Sequence, residues 1–238
     1  MNPALRAPSS EVTYESQRAP APTDKPATAE RDERILDLEG RGRIRVVEYA
    51  GPEGAPTLML LHGLGATGVL NWLTAFDALA ERYHVVAVDH RGHGQGIPTR
   101  HFRLKDCADD AVAVAGALGI DQLIAVGYSM GGPIAKLCWS RHPDRVRGLV
   151  LCATARHFTP DRYPVLMRAV LPGAVLGARL APDLVRGQII ESMVRDVDSA
   201  TARNFVREEM SGADPAALAQ ATRAVLRFSS RNWASDIT

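Results

Sequence analysis

The stretch of sequence that decides the fold runs Leu123-Ile-Ala-Val-Gly-Tyr-Ser-Met-Gly-Gly132. Its first four residues are continuously apolar, which is typical of a strand buried on both faces of a parallel sheet. Gly127 and Gly131 stand on either side of Ser129, and side chains at those two positions would collide with the neighbouring strand and helix. The pattern therefore predicts a sharp strand-to-helix turn that exposes the hydroxyl of Ser129.

The five residues from Gly127 to Gly131 are a weak signal when taken alone. A Gly-x-Ser-x-Gly match arises by chance in a chain of this length with a probability of about 0.1. The context is more specific, because the match directly follows an apolar strand and opens a helix. We therefore favour an activated serine over the alternative, a glycine-bracketed turn in which Ser129 has no chemical role.

The rest of the chain repeats the alternation of buried strands and amphipathic helices, which indicates an α/β fold with a mostly parallel sheet flanked by helices. Apolar residues at helical spacing predict crossover helices over Trp72 to Ala80 and Leu104 to Leu118, and a third helix from about Met130 to before Pro143. The predicted strands comprise an antiparallel leading pair, Ile35–Leu38 and Arg43–Tyr49, and four buried strands, Leu58–Leu61, Val85–Val88, Leu123–Val126 and Leu149–Cys152.

The pattern divides the chain into four segments. Residues 1–33 are rich in Pro, Ala, Ser, Thr and charge, and we expect a disordered tail there. Residues 34–155 carry the α/β pattern. Residues 156–227 are interrupted by several prolines and show no convincing strand, so we expect a helical insertion, or cap. Residues 228–238 would return the chain to the core, before the last strands of the sheet.

Composition excludes several classes of function. The net charge is +1 with both signs mixed along the chain, which argues against nucleic acid or an anionic membrane as the main partner. Three widely spaced cysteines predict neither disulfides nor a zinc site, and we expect no metal, no cofactor and a cytoplasmic location. Arginines and prolines interrupt the apolar stretch 164–190, so no membrane span is predicted, and the oligomeric state stays open.

Two further polar turns follow predicted strands. In His62-Gly63-Leu64-Gly65, the backbone N–H of Leu64 could face the oxygen of a tetrahedral intermediate, with the N–H of Met130 as the second donor. The alternative is a turn that ends a strand with a solvated histidine. Because these turns and Ser129 all follow the carboxyl ends of parallel strands, they should meet at one rim of the sheet, where ligands bind in open α/β sheets.

The second turn, Asp89-His90-Arg91-Gly92-His93-Gly94, contains two histidines. Metal binding and general-base catalysis are therefore alternatives to a purely structural role. No cysteine or further cluster of ligands accompanies the histidines, and glycine-rich polar loops commonly use their side chains to satisfy their own backbone. We predict a structural role for this loop.

In combination, these three motifs resemble the α/β-hydrolase superfamily, in particular its esterase, lipase and C–C-bond hydrolase branch with a simple His-Gly oxyanion loop. The resemblance extends over residues 33–238 and implies a serine hydrolase that forms an acyl-enzyme on Ser129. It also implies an oxyanion hole at Leu64 and Met130, with Gly63, Gly127 and Gly131 shaping the turns. Dehalogenases and epoxide hydrolases of this fold carry aspartate at the position of Ser129, which argues against those two activities.

The resemblance also implies an acid and a histidine that we expect to lie beyond Thr238, because the family places both after the cap. Triad order in this fold runs serine, acid, histidine. No histidine follows His157, and Ala153-Thr154-Ala155 offers no carboxylate after the sixth strand. His142 is expected to end the helix that follows Ser129 and His157 to lie where the cap begins. The sequence therefore predicts an incomplete copy of the triad.

Three classes of function remain open. The first is hydrolysis of an ester or related acyl bond, and the second is C–C bond hydrolysis, perhydrolysis or acyl transfer on the same fold. The third is a truncated chain that binds a small molecule without catalysis. We expect a small apolar acyl substrate, because the predicted cap supplies many apolar residues for a pocket: Leu166, Met167, Val170, Leu171, Val175, Leu176, Leu180, Ile189, Ile190 and Met193.

Overall fold

A computed structural model describes residues 31–158, 173, 176–195, 199–234 and 237. Within them, six strands form one sheet in the order β1-β2-β4-β3-β5-β6. The first two pairings, β1 with β2 and β2 with β4, are antiparallel, and the remaining three are parallel. The strands are β1 (Arg31–Leu38), β2 (Gly42–Tyr49), β3 (Thr57–Leu61), β4 (His84–Val88), β5 (Leu123–Tyr128) and β6 (Val146–Cys152).

The predicted mostly parallel sheet and its antiparallel leading pair are confirmed. The boundary of the predicted tail is wrong at its end, because β1 begins at Arg31 and pairs with β2 over its whole length. The first residues of β1 are charged and exposed, which an edge strand tolerates because one of its sides and much of its surface face water. Residues 1–30 lie outside the described residues.

Four helices connect the strands: α1 (Gly68–Trp72), α2 (Phe76–Ala80), α3 (Leu104–Ala117) and α4 (Gly131–Arg141). The single helix predicted from Trp72 to Ala80 is wrong, since a turn of three residues, 73–75, separates α1 from α2, and its first two residues, Leu73 and Thr74, are exposed. Apolar spacing shows which side chains face the core, but it does not show whether the helix continues through exposed positions. The other two helices follow the prediction, and His142 ends α4.

After the sheet the chain forms, among others, the helices α5 (Pro182–Val194), α6 (Ala200–Met210) and α7 (Pro215–Arg227). We call them the C-terminal helices. They contact the core, because Ala221 and Val225 of α7 belong to the larger apolar cluster of the sheet. An isolated bridge joins His157 to Ser229, so the chain enters and leaves this helical region at the same place. No helix among the described residues is long and apolar enough to cross a membrane.

The core lies on both faces of the sheet. Neighbouring residues of each strand point to opposite faces, so the continuous apolar strands supply both clusters. The larger cluster contains Met59 and Leu61 with residues of α3 and α4, and the smaller contains Leu58 and Leu60 with residues of α1 and α2. A sheet covered in this way holds the carboxyl ends of β3, β4 and β5 on one rim.

Candidate active site

Ser129 occupies the turn between β5 and α4, and its backbone has the positive φ of 49°. Residues with a side chain rarely adopt this left-handed conformation, and such strain is common at functional sites. The backbone on either side holds the turn in place. The N–H of Ser129 donates to the carbonyl of Cys152 at 3.0 Å, and its carbonyl accepts from the hydroxyl of Thr154 at 2.9 Å. The serine is therefore held in one conformation and is partly exposed.

The two glycines of the turn have the steric role that the sequence predicted. A Cβ on Gly127 would lie 2.2 Å from the carbonyl oxygen of Gly131, and a Cβ on Gly131 would lie 2.0 Å from the carbonyl oxygen of Leu61. Both obstacles are backbone atoms, which cannot move aside as a flexible side chain could. Strand β3 and helix α4 can therefore approach this closely only because these positions are glycine.

The loop after β3 is fixed by His62. The backbone N–H of His90 donates to Nε2 of His62 at 2.9 Å, so the proton of this imidazole is on Nδ1. Nδ1 then donates to the carbonyl oxygen of Gly63 at 2.7 Å. In a trans peptide the N–H points away from the C=O of the same unit. The N–H of Leu64 is therefore directed to the side of the loop opposite the His62 ring.

This loop lies directly against the turn 127–131 that holds Ser129, which we call the Ser129 turn. A Cβ on Gly63 would be 3.5 Å from Cβ of Ser129 and 3.2 Å from the ring of Tyr128. Within the part of the chain that the structure describes, the N–H groups of Leu64 and Met130 have no hydrogen-bond partner in the protein. Two uncommitted amide donors thus flank Ser129, one of them at the start of helix α4, whose dipole favours negative charge there.

The loop after β4 has the predicted structural role. The Asp89 carboxylate accepts from the N–H of Gly68 at 2.8 Å and from the N–H of Gln95 at 2.9 Å, which ties α1 to this loop. Burial raises the pKa of Asp89 to about 6, although these two hydrogen bonds oppose the shift. Arg91 is bound to Asp110 of α3, with Nη2 2.8 Å from Oδ1. These side chains hold backbone and helices rather than facing Ser129.

The histidines of this loop are buried in the core. The ring of His90 lies 4.2 Å and that of His93 lies 5.1 Å, centroid to centroid, from the ring of His62. Burial lowers the pKa of His90 to about 3 and the pKa of His93 to about 4, so both are neutral near pH 7. Among the described residues, no group of three or more His, Cys, Asp or Glu is arranged to hold a metal ion.

All seven histidines of the chain fall within the described residues, and none of them hydrogen-bonds the hydroxyl of Ser129. His84 binds Glu48 and Thr57, and His142 binds Asp109 at 2.8 Å. His157 has a buried Nδ1 atom without a partner. The described residues therefore contain the turn that holds Ser129 and two amides without partners, but no base bonded to the serine.

The predicted apolar pocket is described in part. Five of its ten residues, Leu166, Met167, Val170, Leu171 and Val175, lie outside the described residues. Ile189 and Ile190 pack against Met210 of α6, whereas Leu176 and Leu180 are 58% and 76% exposed. Because these two leucines are mostly exposed in the described structure, their place in a pocket stays a prediction.

Sequence reasoning missed two contacts near the site. Asn71 of α1 accepts a hydrogen bond from the N–H of Gly63, and Glu209 of α6 binds both Arg45 and Thr67. A lone asparagine or glutamate on a helix carries no signal in sequence, because its partner is set by how the helix packs. The capping role of Thr67 could have been predicted from the sequence, because a threonine directly before a helix commonly caps its first turn.

A profile of the alpha/beta hydrolase fold matches residues 56–213, two thirds of the chain. The chain belongs to the alpha/beta hydrolase fold family. The solved structure of a hydrolase from Pseudomonas aeruginosa PA01 is similar with a TM-score of 0.67 over 87% of this chain and 77% of that one. At 22% identity, this likeness shows the fold alone.

Two curated alpha/beta hydrolase relatives cover shorter regions. Epoxide hydrolase B of Mycobacterium tuberculosis (strain ATCC 25618 / H37Rv) is 34% identical over 157 residues, which are 63% of this chain and 41% of that protein. The pimeloyl-[acyl-carrier protein] methyl ester esterase of Vibrio atlanticus (strain LGP32) is 32% identical over 120 residues, 50% of this chain and 45% of that protein. The chain thus spans less than half the length of these relatives.

Proposed function

We propose that this alpha/beta hydrolase is a serine hydrolase that cleaves an ester or related acyl bond through an acyl-enzyme on Ser129. The observation that carries the proposal is the placement of Ser129 in a strained turn beside two uncommitted amides, those of Leu64 and Met130. A strained turn that exposes a hydroxyl next to free N–H donors is the arrangement that acyl transfer requires.

In the proposed reaction, Oγ of Ser129 attacks the carbonyl carbon of the substrate and loses its proton to a base. The carbonyl oxygen becomes an oxyanion, which accepts hydrogen bonds from the N–H groups of Leu64 and Met130. When the tetrahedral intermediate collapses, the alcohol leaves with a proton from the same base, and water then hydrolyses the acyl-enzyme. The base and its acid come from outside the described surroundings of Ser129.

The serine supports ester chemistry over epoxide opening. One relative is an epoxide hydrolase, and the family resemblance implies an aspartate nucleophile for that activity. Aspartate attacks through a carboxylate oxygen and needs no base to remove a proton from the nucleophile, whereas a serine does. A second relative is a methyl ester esterase, whose substrate class fits an acyl-enzyme on serine.

We further propose that residues 156–227 form a cap and that the substrate is a small apolar acyl compound. The bridge between His157, at the start of this segment, and Ser229, just after its end, supports an insertion that leaves and re-enters the core at one point. C–C bond hydrolysis, perhydrolysis and acyl transfer remain alternatives on the same scaffold, because the fold and the turn do not fix the substrate. A chain that only binds a ligand is the non-enzymatic alternative.

Covalent labelling tests the proposal. The 238-residue chain and, in parallel, the product of the complete coding sequence are treated with a fluorophosphonate, and the modified residue is identified by mass spectrometry. We expect labelling at Ser129 and its loss in Ser129→Ala, with Ser192→Ala, an exposed serine of α5, labelled as the native protein is. Absence of labelling in both forms, or labelling that survives Ser129→Ala, would remove Ser129 from the mechanism.

A further inference from the structure

The loop of residues 62–65, which carries the proposed oxyanion donor Leu64, is held on two sides by side chains. The carbonyl of Gly63 accepts from Nδ1 of His62 at 2.7 Å, and the N–H of Gly63 donates to Oδ1 of Asn71 at 3.0 Å. Both backbone groups of this glycine are therefore bound to side chains, one from the same loop and one from α1, and the carbonyl also accepts from the N–H of Ala66 at 3.4 Å. Asn71 belongs to α1, and among the described residues its bond to Gly63 is the one hydrogen bond between α1 and this loop.

We propose that Asn71 is a positioning residue for the oxyanion hole. Its side-chain carbonyl fixes the peptide before Gly63, while His62 fixes the peptide after it, so the two together set the direction of the Leu64 N–H. The inference rests on the proposed function, since it assigns Asn71 to the same hole. It also removes one candidate donor, because the N–H of Gly63 is used by Asn71, whereas those of Leu64 and Met130 have no partner among the described residues.

The need for a second constraint follows from the chemistry of glycine. Glycine populates a wider range of φ and ψ than other residues, so its two neighbouring peptides can rotate unless something holds them. A Cβ on Gly63 would approach the ring of Tyr128 to 3.2 Å, a tight contact that requires the ring to shift by a few tenths of an ångström. Asn71 holds the peptide before this glycine, and His62, together with the N–H of Ala66, holds the peptide after it, which gives the loop the rigidity that an oxyanion hole requires.

Helix α1 is itself fixed, so that Asn71 has a defined place. The hydroxyl of Thr67 caps the helix by accepting from the N–H of Leu70 at 3.1 Å, and Asp89 accepts from the N–H of Gly68. The same Thr67 hydroxyl donates to Glu209 of α6 at 2.6 Å. Five residues of helix would otherwise be marginal, because short helices depend on contacts outside themselves. Hydrogen bonds therefore connect α6 to α1 through Glu209 and Thr67, and α1 to the loop of Leu64 through Asn71.

The test separates positioning from general stability. Asn71→Leu has a similar shape but no acceptor, and Asn71→Ser is a second variant in case leucine impairs folding. We expect kcat to fall by about 10- to 100-fold with KM changed less than about threefold, since removing an oxyanion donor outright costs about 10²–10³ in kcat. The affinity for a boronic acid, which mimics the tetrahedral intermediate, should fall in the same proportion, while the affinity for an unreactive substrate analogue stays unchanged.

Asn204→Leu is the matched control, because Asn204 is an exposed asparagine on α6, and we expect native kinetics from it. Ser129→Ala, measured beside these variants, tests the proposed function by itself. If Ser129→Ala is inactive and folded Asn71 variants retain native kcat and native boronic acid affinity, Asn71 is not a positioning residue. If Ser129→Ala is as active as the native protein, the proposed function fails and the assignment of Asn71 fails with it.

Discussion

Glu209 and Arg45 form a two-pronged ion pair, with Oε2 2.8 Å from Nη1 and Oε1 3.0 Å from Nη2. The pair joins helix α6 to strand β2, and both side chains are buried. Burial lowers the pKa of Arg45, but the hydrogen bond to Glu209 and the charges of Asp89 and Glu209 outweigh it, so the pKa is raised above its usual value. The arginine therefore stays charged and ties the C-terminal helices to the sheet.

Glu209→Ala should be strongly destabilising. It leaves Arg45 with Asp89, 3.8 Å away, and Glu33, and it removes the acceptor of the Thr67 hydroxyl. Breaking a buried pair by removing one partner costs about 3–5 kcal/mol, and we expect the lower end here because two carboxylates remain. Urea unfolding followed by circular dichroism measures the change.

The control is an exposed pair between the same region's helices. Glu191 of α5 binds Arg207 of α6, with both side chains more than 40% exposed. Surface pairs of this kind contribute about 0–1 kcal/mol, so Glu191→Ala should change the free energy of unfolding by less than about 1 kcal/mol. Equal losses in Glu191→Ala and Glu209→Ala would show that burial of the Arg45 pair has no special effect.

Gly131→Ala should prevent the native packing of the Ser129 turn. The added Cβ would lie 2.0 Å from the carbonyl oxygen of Leu61, so strand β3 and helix α4 would have to separate. We expect a loss of about 3 kcal/mol or more, at the upper end of what overpacking costs, because the obstacle is backbone. Thermal unfolding and the soluble yield report this change.

Gly187→Ala is the matched control for that substitution. Gly187 lies inside α5, and a Cβ there would meet nothing within 4 Å. Alanine loses less conformational freedom than glycine in a helix, so this variant should be more stable by about 0.5–1 kcal/mol. If both glycine variants were destabilised alike, the close contact at Leu61 would not explain why the turn needs glycine at position 131.

Much of the fold was predictable because burial leaves a mark in sequence. Leu58–Leu61 and Leu123–Val126 are continuously apolar, and both are strands in the interior of the sheet. The Ser129 turn was predictable because a tight turn needs glycine at fixed positions. Strand β1 extended beyond its predicted start, since the charged residues from Arg31 to Arg34 pair with β2 by backbone hydrogen bonds and give no apolar signal.

The contacts that fix the site were less predictable. Asn71 and Gly63 are eight residues apart, and Glu209 and Thr67 are 142 apart, so no local spacing relates either pair. Each depends on where a helix is placed, which follows from packing over the whole core. The burial of His90 and His93 against His62 was not predictable either, because it depends on the loops after β3 and β4 meeting at one rim.

Ser129→Ala in the product of the complete coding sequence should abolish ester hydrolysis while leaving the fold intact. The hydroxyl makes no hydrogen bond in the described structure, so stability should change by less than about 0.5 kcal/mol. Loss of a serine nucleophile lowers kcat by about a millionfold in a well-studied protease, which leaves only the effect of the oxyanion hole and binding. Hydrolysis of p-nitrophenyl esters, with native circular dichroism as the control for folding, measures both. Activity in the variant within a hundredfold of native would contradict the mechanism.

The stability of the protein should fall on acidification through the three buried imidazoles. Burial lowers the pKa of His90 to about 3 and of His93 to about 4, and it lowers that of His62 well below its usual value. In the unfolded chain these groups take up protons near pH 6.5. Between about pH 6.5 and 4 the unfolded state therefore binds more protons than the folded state, and stability falls as the pH falls. Asp89 has the opposite effect. Its raised pKa of about 6 means that the folded state takes up this proton at a higher pH than the unfolded state, which stabilises the fold on acidification. Because three histidines oppose this single carboxyl group, the net stability should still fall.

His90→Leu tests this pH dependence most directly, because Nε2 of His90 is buried without a partner and its backbone N–H, which binds His62, is retained. One histidine that is neutral only in the folded state lowers the free energy of unfolding by up to about 1.4 kcal/mol for each pH unit of acidification. Below pH 6 the slope of stability against pH should therefore be smaller in the variant by about this amount. The free energy of unfolding is measured in urea at half-unit steps from pH 7.5 to 4.5, with the exposed His101→Gln as the control, which should keep the native slope. An unchanged slope in His90→Leu would mean that this imidazole is protonated alike in the folded and unfolded states, in conflict with its burial.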